Sequence, residues 1–445
     1  MSGGTILDQA PAAPVAKPAP SPLVPLPASV EIAVLGGGAA GLACARHLAR
    51  SGRDVHLFEA EPEVGGRMRT IIDRDRFHLD AGFHVLLTGY PAVRRDLDLA
   101  SLRVRPFEPG AIVAARGHFH PLPDPFRNGG WLDALRFPFA SMGDKMRFAG
   151  YRRRVASLSD EEIARSPDRS TREHLREIGL SDGFVDSFFV PFFGGVFLDP
   201  SLGASSRYFQ SILRAFSNGD AGIPADGIGA VPRQIAAGIP PDRIHTAVRA
   251  DSLIIEQERV CGFVAGERQV RAEKVVVACS PAESARLTGL AFPPLRALGV
   301  SVVYFAAPRP PTGEKRLFLR GDPEGWTNQF AVLTNVAPEL APEGQHLLAG
   351  VILGAPDLHG GALSEKVRGE MAAWFPHCGT HLWRWLRTVK IPEAQWALEP
   401  GLGQDLPEVR TTIPGLFLAG DYTREPSLAG ALESGREAAD AVLGG

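Results

Sequence analysis

The sequence predicts an α/β protein in which a parallel-sheet domain is interrupted by a second, α+β domain. Three observations lead there. Residues 32–70 run in the order strand, glycine turn, helix, strand, acid. Near the other end, residues 415–421 form an apolar run ending in Gly420-Asp421, and Ser427 to Leu443 reads as a helix. Between them, β-rich runs such as Val300 to Phe305 and His346 to Leu353 alternate with a helix around Ser364 to Phe375.

In the first segment the apolar run Ile32 to Leu35 opens onto Gly36, Gly38 and Gly41 in G-x-G-x-x-G spacing. Gly36 permits the tight turn, and Gly38 lets a pyrophosphate approach backbone N–H groups at the helix start beside Ala39 and Ala40. Gly41 lets the helix pack on the strand. A second strand, Val55 to Phe58, ends in Glu59, 18 residues beyond Gly41, where about 20 is the expected spacing. Glu59 can accept hydrogen bonds from the adenosine ribose. A glycine triplet alone is weak evidence, but here strand, turn, helix, strand and acid all agree on a Rossmann-like dinucleotide site.

The acid repels a 2′-phosphate, which disfavours NADP and leaves NAD or FAD. Gly65-Gly66-Arg67-Met68-Arg69-Thr70 is the GGRxxT pattern of FAD-binding proteins, with Gly66 close to the cofactor and Arg67 a fixed positive charge near the pyrophosphate. In the last segment, Asp421 after Gly420 suits the ribityl hydroxyls. The helix start from Leu428 to Ala431 would turn its N–H groups and positive dipole end toward the flavin N1/O2 edge, which becomes anionic on reduction.

These motifs resemble those of the FAD-dependent amine oxidase, protoporphyrinogen oxidase and carotenoid desaturase superfamily, and within it the phytoene-desaturase-type branch. The ending LAGDYTREPSLAGALESGREAADAVL is similar to the desaturase C-terminal signature, and FHLDAGFHVL (Phe77 to Leu86) to the segment that follows the GG motif. The resemblance implies a GR2-type flavoprotein with bound FAD, Gly82 and Phe83 near the cofactor, and Val248 meeting adenine through its backbone. It implies a substrate domain whose face lies against the flavin. Amine oxidases of the superfamily carry a Lys and an aromatic cage residue at the positions of Val300 and Ser427; neither is present here.

The expected FAD domain comprises residues 29–95, 220–289 and 405–445, and the substrate domain residues 96–219 and 290–404. Within them we expect a hairpin over Ala111 to Phe119 turning near Arg116-Gly117, and a glycine-led helix in Ala221 to Ile239. A strand over Ile244 to Val248 and a buried strand in Arg271 to Ser280 follow. Residues 1–28, rich in Pro and Ala, read as a flexible leader. The helical block Trp131 to Phe148, followed by Arg152-Arg153-Arg154, is either a membrane-surface helix with a basic flank or a buried helix with a solvated end. Phe188, Phe189, Phe192, Phe193 and Phe197 are either cavity lining for a lipid-like substrate or plain core.

The sequence holds no nucleophile elbow, HExxH or Cys-His metal cluster, so no metal is expected and the flavin carries the chemistry. No catalytic side chain is assigned. His84 stands near the expected flavin position, with a catalytic and a structural role both open. The reading is an FAD-dependent oxidoreductase that dehydrogenates or isomerises an apolar polyene or isoprenoid; whether a separate electron acceptor, a quinone or O2, takes part is left open. The alternatives are an amine or porphyrinogen oxidase and a catalytically silent FAD-binding scaffold. A length of 445 residues with 44% hydrophobic content supports two or more cores. A net charge of −3 argues against a nucleic-acid partner. Cys44, Cys261, Cys279 and Cys378 lack CxxC spacing and read as buried reduced thiols of a cytoplasmic protein; peripheral contact with a membrane through residues 131–154 is left open. The oligomeric state is left open.

Overall fold

A computed structural model describes residues 6–9, 26–127 and 129–444. Strand Ser29–Leu35 lies between Val55–Phe58 and Arg268–Val277, parallel to both. Ile244–His245 extends this parallel set on one side and Leu416–Leu418 on the other. Such strands are covered on both faces, so their sequences are apolar without alternation; Ile32, Ala33, Val34 and Val275, Val276, Val277 are fully buried. Arg259–Ala265 and Ser252–Glu256 continue the sheet antiparallel. Helix Ala39–Arg50 packs beside the terminal helix Leu428–Leu443. Their approach is so close that a Cβ on Gly435 would stand 2.2 Å from the Ala40 carbonyl oxygen.

The second sheet has eight strands, in the order Ile6–Gln9, Arg384–Trp396, Ala297–Ala307, His346–Leu353, Gln329–Val332, Leu317–Arg320, Gly110–Ala115 and His118–Pro123. It is antiparallel except where Leu317–Arg320 meets Gly110–Ala115. Period-two alternation splits one strand between two cores. Val300, Val302 and Tyr304 face one cluster, while Val303 and Phe305 join Leu363, Val367 and Met371 of helix Gly360–Trp374 in another.

Several expectations change. Ile6–Gln9, placed in a flexible leader, pairs antiparallel with Arg387 to Lys390 at the sheet edge; most of the remaining leader lies outside the described residues. The stretch Ala221 to Ile239 begins as a short strand, Ala221–Ile223, and only Ala230–Ala236 is helical. The strand at Ile244 stops at His245, because Ala247 takes φ +56°. The block Trp131 to Phe148 is two helices, Trp131–Arg136 and Met142–Ala156. Pro138 disfavours a helical Phe137, and Ser141 with Asp144 closes a capping box that starts the second helix. Phe184 to Leu198 contains a π-turn, Val185–Phe189, before the helix Val190–Phe197. All four cysteines are free, but only Cys44 is fully buried. The hairpin turns at Arg116 and Gly117, both at positive φ.

Candidate active site

The fingerprint glycines answer to different constraints. Gly36 has φ +115°, and a Cβ there would lie 2.5 Å from the Ala278 carbonyl oxygen. At Gly41 it would lie 1.9 Å from the Gly36 carbonyl oxygen. A Cβ on Gly38 meets no chain atom within 4 Å. Gly38 is the N-cap of helix Ala39–Arg50, whose first N–H groups have no side-chain cap. Open room against uncapped, partly positive N–H groups fits an anionic pyrophosphate.

Glu59 is buried at the end of Val55–Phe58. Its carboxylate accepts from the Gly37 N–H at 2.5 Å and the Glu61 N–H at 2.8 Å, which ties the glycine turn to the second strand. The Val248 N–H donates to the Glu59 carbonyl at 2.8 Å, so the expected backbone contact to adenine falls to the Val248 carbonyl. The GG motif packs onto the fingerprint: the Gly65 N–H donates to the Gly37 carbonyl at 2.8 Å, and a Cβ on Gly66 would reach Gly38 Cα at 3.3 Å. Arg67 donates to the buried Asp421 carboxylate at 2.6 Å and to the Ala394 carbonyl at 3.0 Å. Three segments far apart in sequence therefore converge.

At the terminal helix, the Gly430 N–H donates to Ser427 Oγ at 2.9 Å and the Ala431 N–H to the Ser427 carbonyl at 3.0 Å. Ala431 thus has no N–H to spare, which corrects the expectation that it points one outward. Ser427, expected at the position of an amine oxidase cage aromatic, serves as the helix cap.

All these residues line one cavity of about 1240 Å³: Gly36, Gly38, Ala39, Ala40, Glu59, Gly66, Arg67, Gly82, Phe83, Val248, Gly420, Asp421, Leu428 and Ala431. Gly41 does not line it; it acts behind the turn. The volume exceeds the roughly 300–1,000 Å³ of an ordinary small-molecule pocket, so it has room for a dinucleotide and a second molecule. Phe184, Phe188, Phe192, Phe193 and Phe216 line the same cavity, as do Val300, Phe126, Trp131 and Leu135. Phe188 and Phe192 stack at 5.4 Å. Phe189 and Phe197 are core residues and do not line it.

Two residues that sequence reasoning passed over stand behind the Gly82 turn. Asp80 accepts from Thr70 Oγ1 at 2.6 Å and from the Ile228 N–H at 3.0 Å, and burial pushes its pKa up to about 6. The Tyr304 hydroxyl stands 3.0 Å from the Asp80 carbonyl and 2.8 Å from the Gly82 carbonyl. A signal was present for Asp80, an acid set directly among Leu79, Ala81 and Phe83. None marked Tyr304, which reaches the turn only through the fold.

The sequence pattern of the family described as flavin containing amine oxidoreductase matches residues 39–443. The 15-cis-phytoene desaturase of Synechococcus elongatus is 22% identical over 463 residues, covering 93% of this chain and 96% of that protein. The hydroxysqualene dehydroxylase of Rhodopseudomonas palustris is 44% identical over 62 residues, 14% of this chain and 15% of that protein. Among solved structures, an oxidoreductase from Methanosarcina mazei superposes with a TM-score of 0.73 at 21% identity, covering 92% of this chain and 100% of that one.

Proposed function

The chain belongs to the flavin-containing amine oxidoreductase family and is an FAD-dependent oxidoreductase, and from that premise we propose that it dehydrogenates or isomerises an apolar polyene or isoprenoid. The observation that carries this is the aromatic wall of the shared cavity, formed by Phe184, Phe188, Phe192, Phe193 and Phe216. A wall of rings holds a long hydrocarbon by buried area: roughly 300 Å² at about 25 cal/mol/Å² contributes on the order of 7 kcal/mol before association costs. Val300 and Ser427 offer an amine neither a Lys nor an aromatic cage. The relatives named for phytoene and hydroxysqualene support the same substrate class.

In this reading Gly38, Ala39 and Ala40 face the pyrophosphate, Glu59 the adenosine ribose, Asp421 the ribityl chain, and the Val248 carbonyl the adenine. Leu428 brings the positive end of the terminal helix to the flavin. Bound FAD supplies a two-electron acceptor for hydride. The phenylalanine wall excludes water and fixes the approach of the C–H bond. Dehydrogenation would need a separate acceptor, such as a quinone or O2, to take the two electrons from the reduced cofactor; isomerisation, which is redox-neutral, would not.

The route for such a substrate lies along Phe126 and the helices Trp131–Arg136 and Met142–Ala156. Phe126, Trp131, Leu132, Leu135, Met142 and Met146 are exposed large apolar side chains, Leu132 at 69% and Met146 at 70%. Phe126, Trp131 and Leu135 also line the cavity, and Arg136, Arg147, Arg153 and Arg154 flank the patch. No helix among the described residues is long and apolar enough to cross a membrane. The patch suits peripheral contact with an anionic bilayer surface. Replacing both Leu132 and Met146 with Asp should weaken sedimentation with anionic liposomes at least tenfold, since each buried apolar side chain is worth about 1.5–3 kcal/mol. Equal binding of the variant and the wild type would remove membrane delivery from this account.

Mass spectrometry of small molecules co-purifying with the FAD-loaded protein tests the substrate class. Long-chain isoprenoids are expected; a stoichiometric polyamine or porphyrin would overturn the proposal.

A further inference from the structure

Behind the Gly82 turn lies a second, small pocket of about 10 Å³, lined by His78, Asp80, Gly82, Phe83, His84, Ile223, Tyr304, Leu333 and Leu340. That is room for one water. It is apolar on the Ile223, Leu333 and Leu340 side and polar on the other. His78 and His84 both line it, and the buried Nδ1 of each makes no hydrogen bond of good geometry among the described residues. Gly82, Phe83 and His84 also line the large cavity, so His84 is the polar side chain that borders both spaces.

We propose that His84 and Asp80, bridged by one water in the pocket they share, form the proton exit of the dehydrogenation. This rests on the function read above. Dehydrogenation breaks two C–H bonds and forms one C=C bond. One hydrogen leaves as hydride with its electron pair, for which FAD is the acceptor. The other leaves as a proton, and its electron pair becomes the new π bond. His84 takes that proton on a ring nitrogen, the water passes it to the Asp80 carboxylate, and His84 returns to its neutral form.

The surroundings give the relay a direction. Burial and the Arg67 guanidinium hold the His84 pKa down to about 4, against the Gly82 backbone, which favours the imidazolium. Burial pushes that of Asp80 up to about 6, against the Thr70 hydroxyl, the Ile228 N–H and the Arg233 guanidinium, which favour its anion. Tyr304 and His78 complete the groups around the pocket. At neutral pH Asp80 is the stronger base, so a proton on His84 moves on and does not return to the substrate.

The test uses full-length, FAD-loaded protein with 15N-labelled histidine, as wild type, His84→Gln, Asp80→Asn and Asp80→Glu. Without substrate, the His84 resonance, identified by its loss in His84→Gln, should titrate at least half a pH unit lower in Asp80→Asn and near the wild-type value in Asp80→Glu. With phytoene in liposomes, anaerobic flavin bleaching should slow by about 10²–10⁴-fold in His84→Gln and Asp80→Asn at unchanged FAD content, and Asp80→Glu should recover part of the rate. A His84 titration indifferent to Asp80→Asn, or bleaching within threefold of wild type in both variants, overturns the relay. If phytoene fails to bleach the wild type, the substrate reading fails, and the histidine titration alone decides whether the two residues are coupled.

Discussion

Gly41→Ala is expected to give a protein that retains almost no FAD. The added Cβ would sit 1.9 Å from the Gly36 carbonyl oxygen and 3.1 Å from Ala278 Cβ. Neither neighbour is the free end of a flexible side chain; one is the backbone of the turn and the other packs on the central strand. Helix Ala39–Arg50 must therefore move off the sheet, and its N-terminus leaves the position where, in the proposed reading, it would face the pyrophosphate. Overpacking of a core contact costs about 1–3 kcal/mol, and a clash with backbone stands at the upper end, so FAD should bind about 100-fold more weakly and Tm should fall. Gly38→Ala separates cofactor from chain. Its Cβ meets nothing within 4 Å and its φ of −74° suits any residue. The apo protein should therefore melt as wild type while FAD affinity falls at least tenfold. Full FAD occupancy of Gly38→Ala after dialysis would show that the pyrophosphate lies elsewhere.

Glu59→Ala and Asp421→Ala should each weaken FAD binding on the order of 10- to 100-fold, because a lost charged hydrogen bond costs about 1.5–3 kcal/mol. The two should differ in the apo protein. Glu59 holds the Gly37 and Glu61 N–H groups, so its removal also loosens the glycine turn and lowers Tm; Glu59→Gln, which keeps an acceptor oxygen, should recover part of that loss. Asp421 is held by Arg67, which keeps its bond to the Ala394 carbonyl when the carboxylate is gone. Equilibrium dialysis of the flavin with calorimetry of the apo forms measures both. Unchanged occupancy in both variants would mean that the cofactor residues have been misassigned.

What could be read in advance follows local chemistry. The strand, turn, helix, strand and acid of residues 32–59 are each set by neighbours in sequence, and the parallel pairing of Ser29–Leu35 with Val55–Phe58 follows. Helix Gly360–Trp374 and the hairpin at Arg116-Gly117 were legible for the same reason. Tertiary contacts decided the rest. Which of five phenylalanines face the cavity depends on a π-turn that resets the helical phase at Val185–Phe189, and residue spacing does not announce it. Trp131 to Phe148 looked like one helix until Pro138 and the Ser141 capping box divided it, and both halves then left apolar side chains exposed. Asp80, His84 and Tyr304 meet only because a strand of the second sheet reaches the Gly82 turn.

Anaerobic bleaching of the bound flavin by a panel of primary amines, polyamines, amino acids and liposome-delivered carotenoid precursors tests the central claim most directly. An apolar polyene should reduce the flavin, and every amine should leave it oxidised, because Val300 and Ser427 supply no Lys and no aromatic cage at the site. Rapid reduction by an amine, with none by any lipid, would contradict the account.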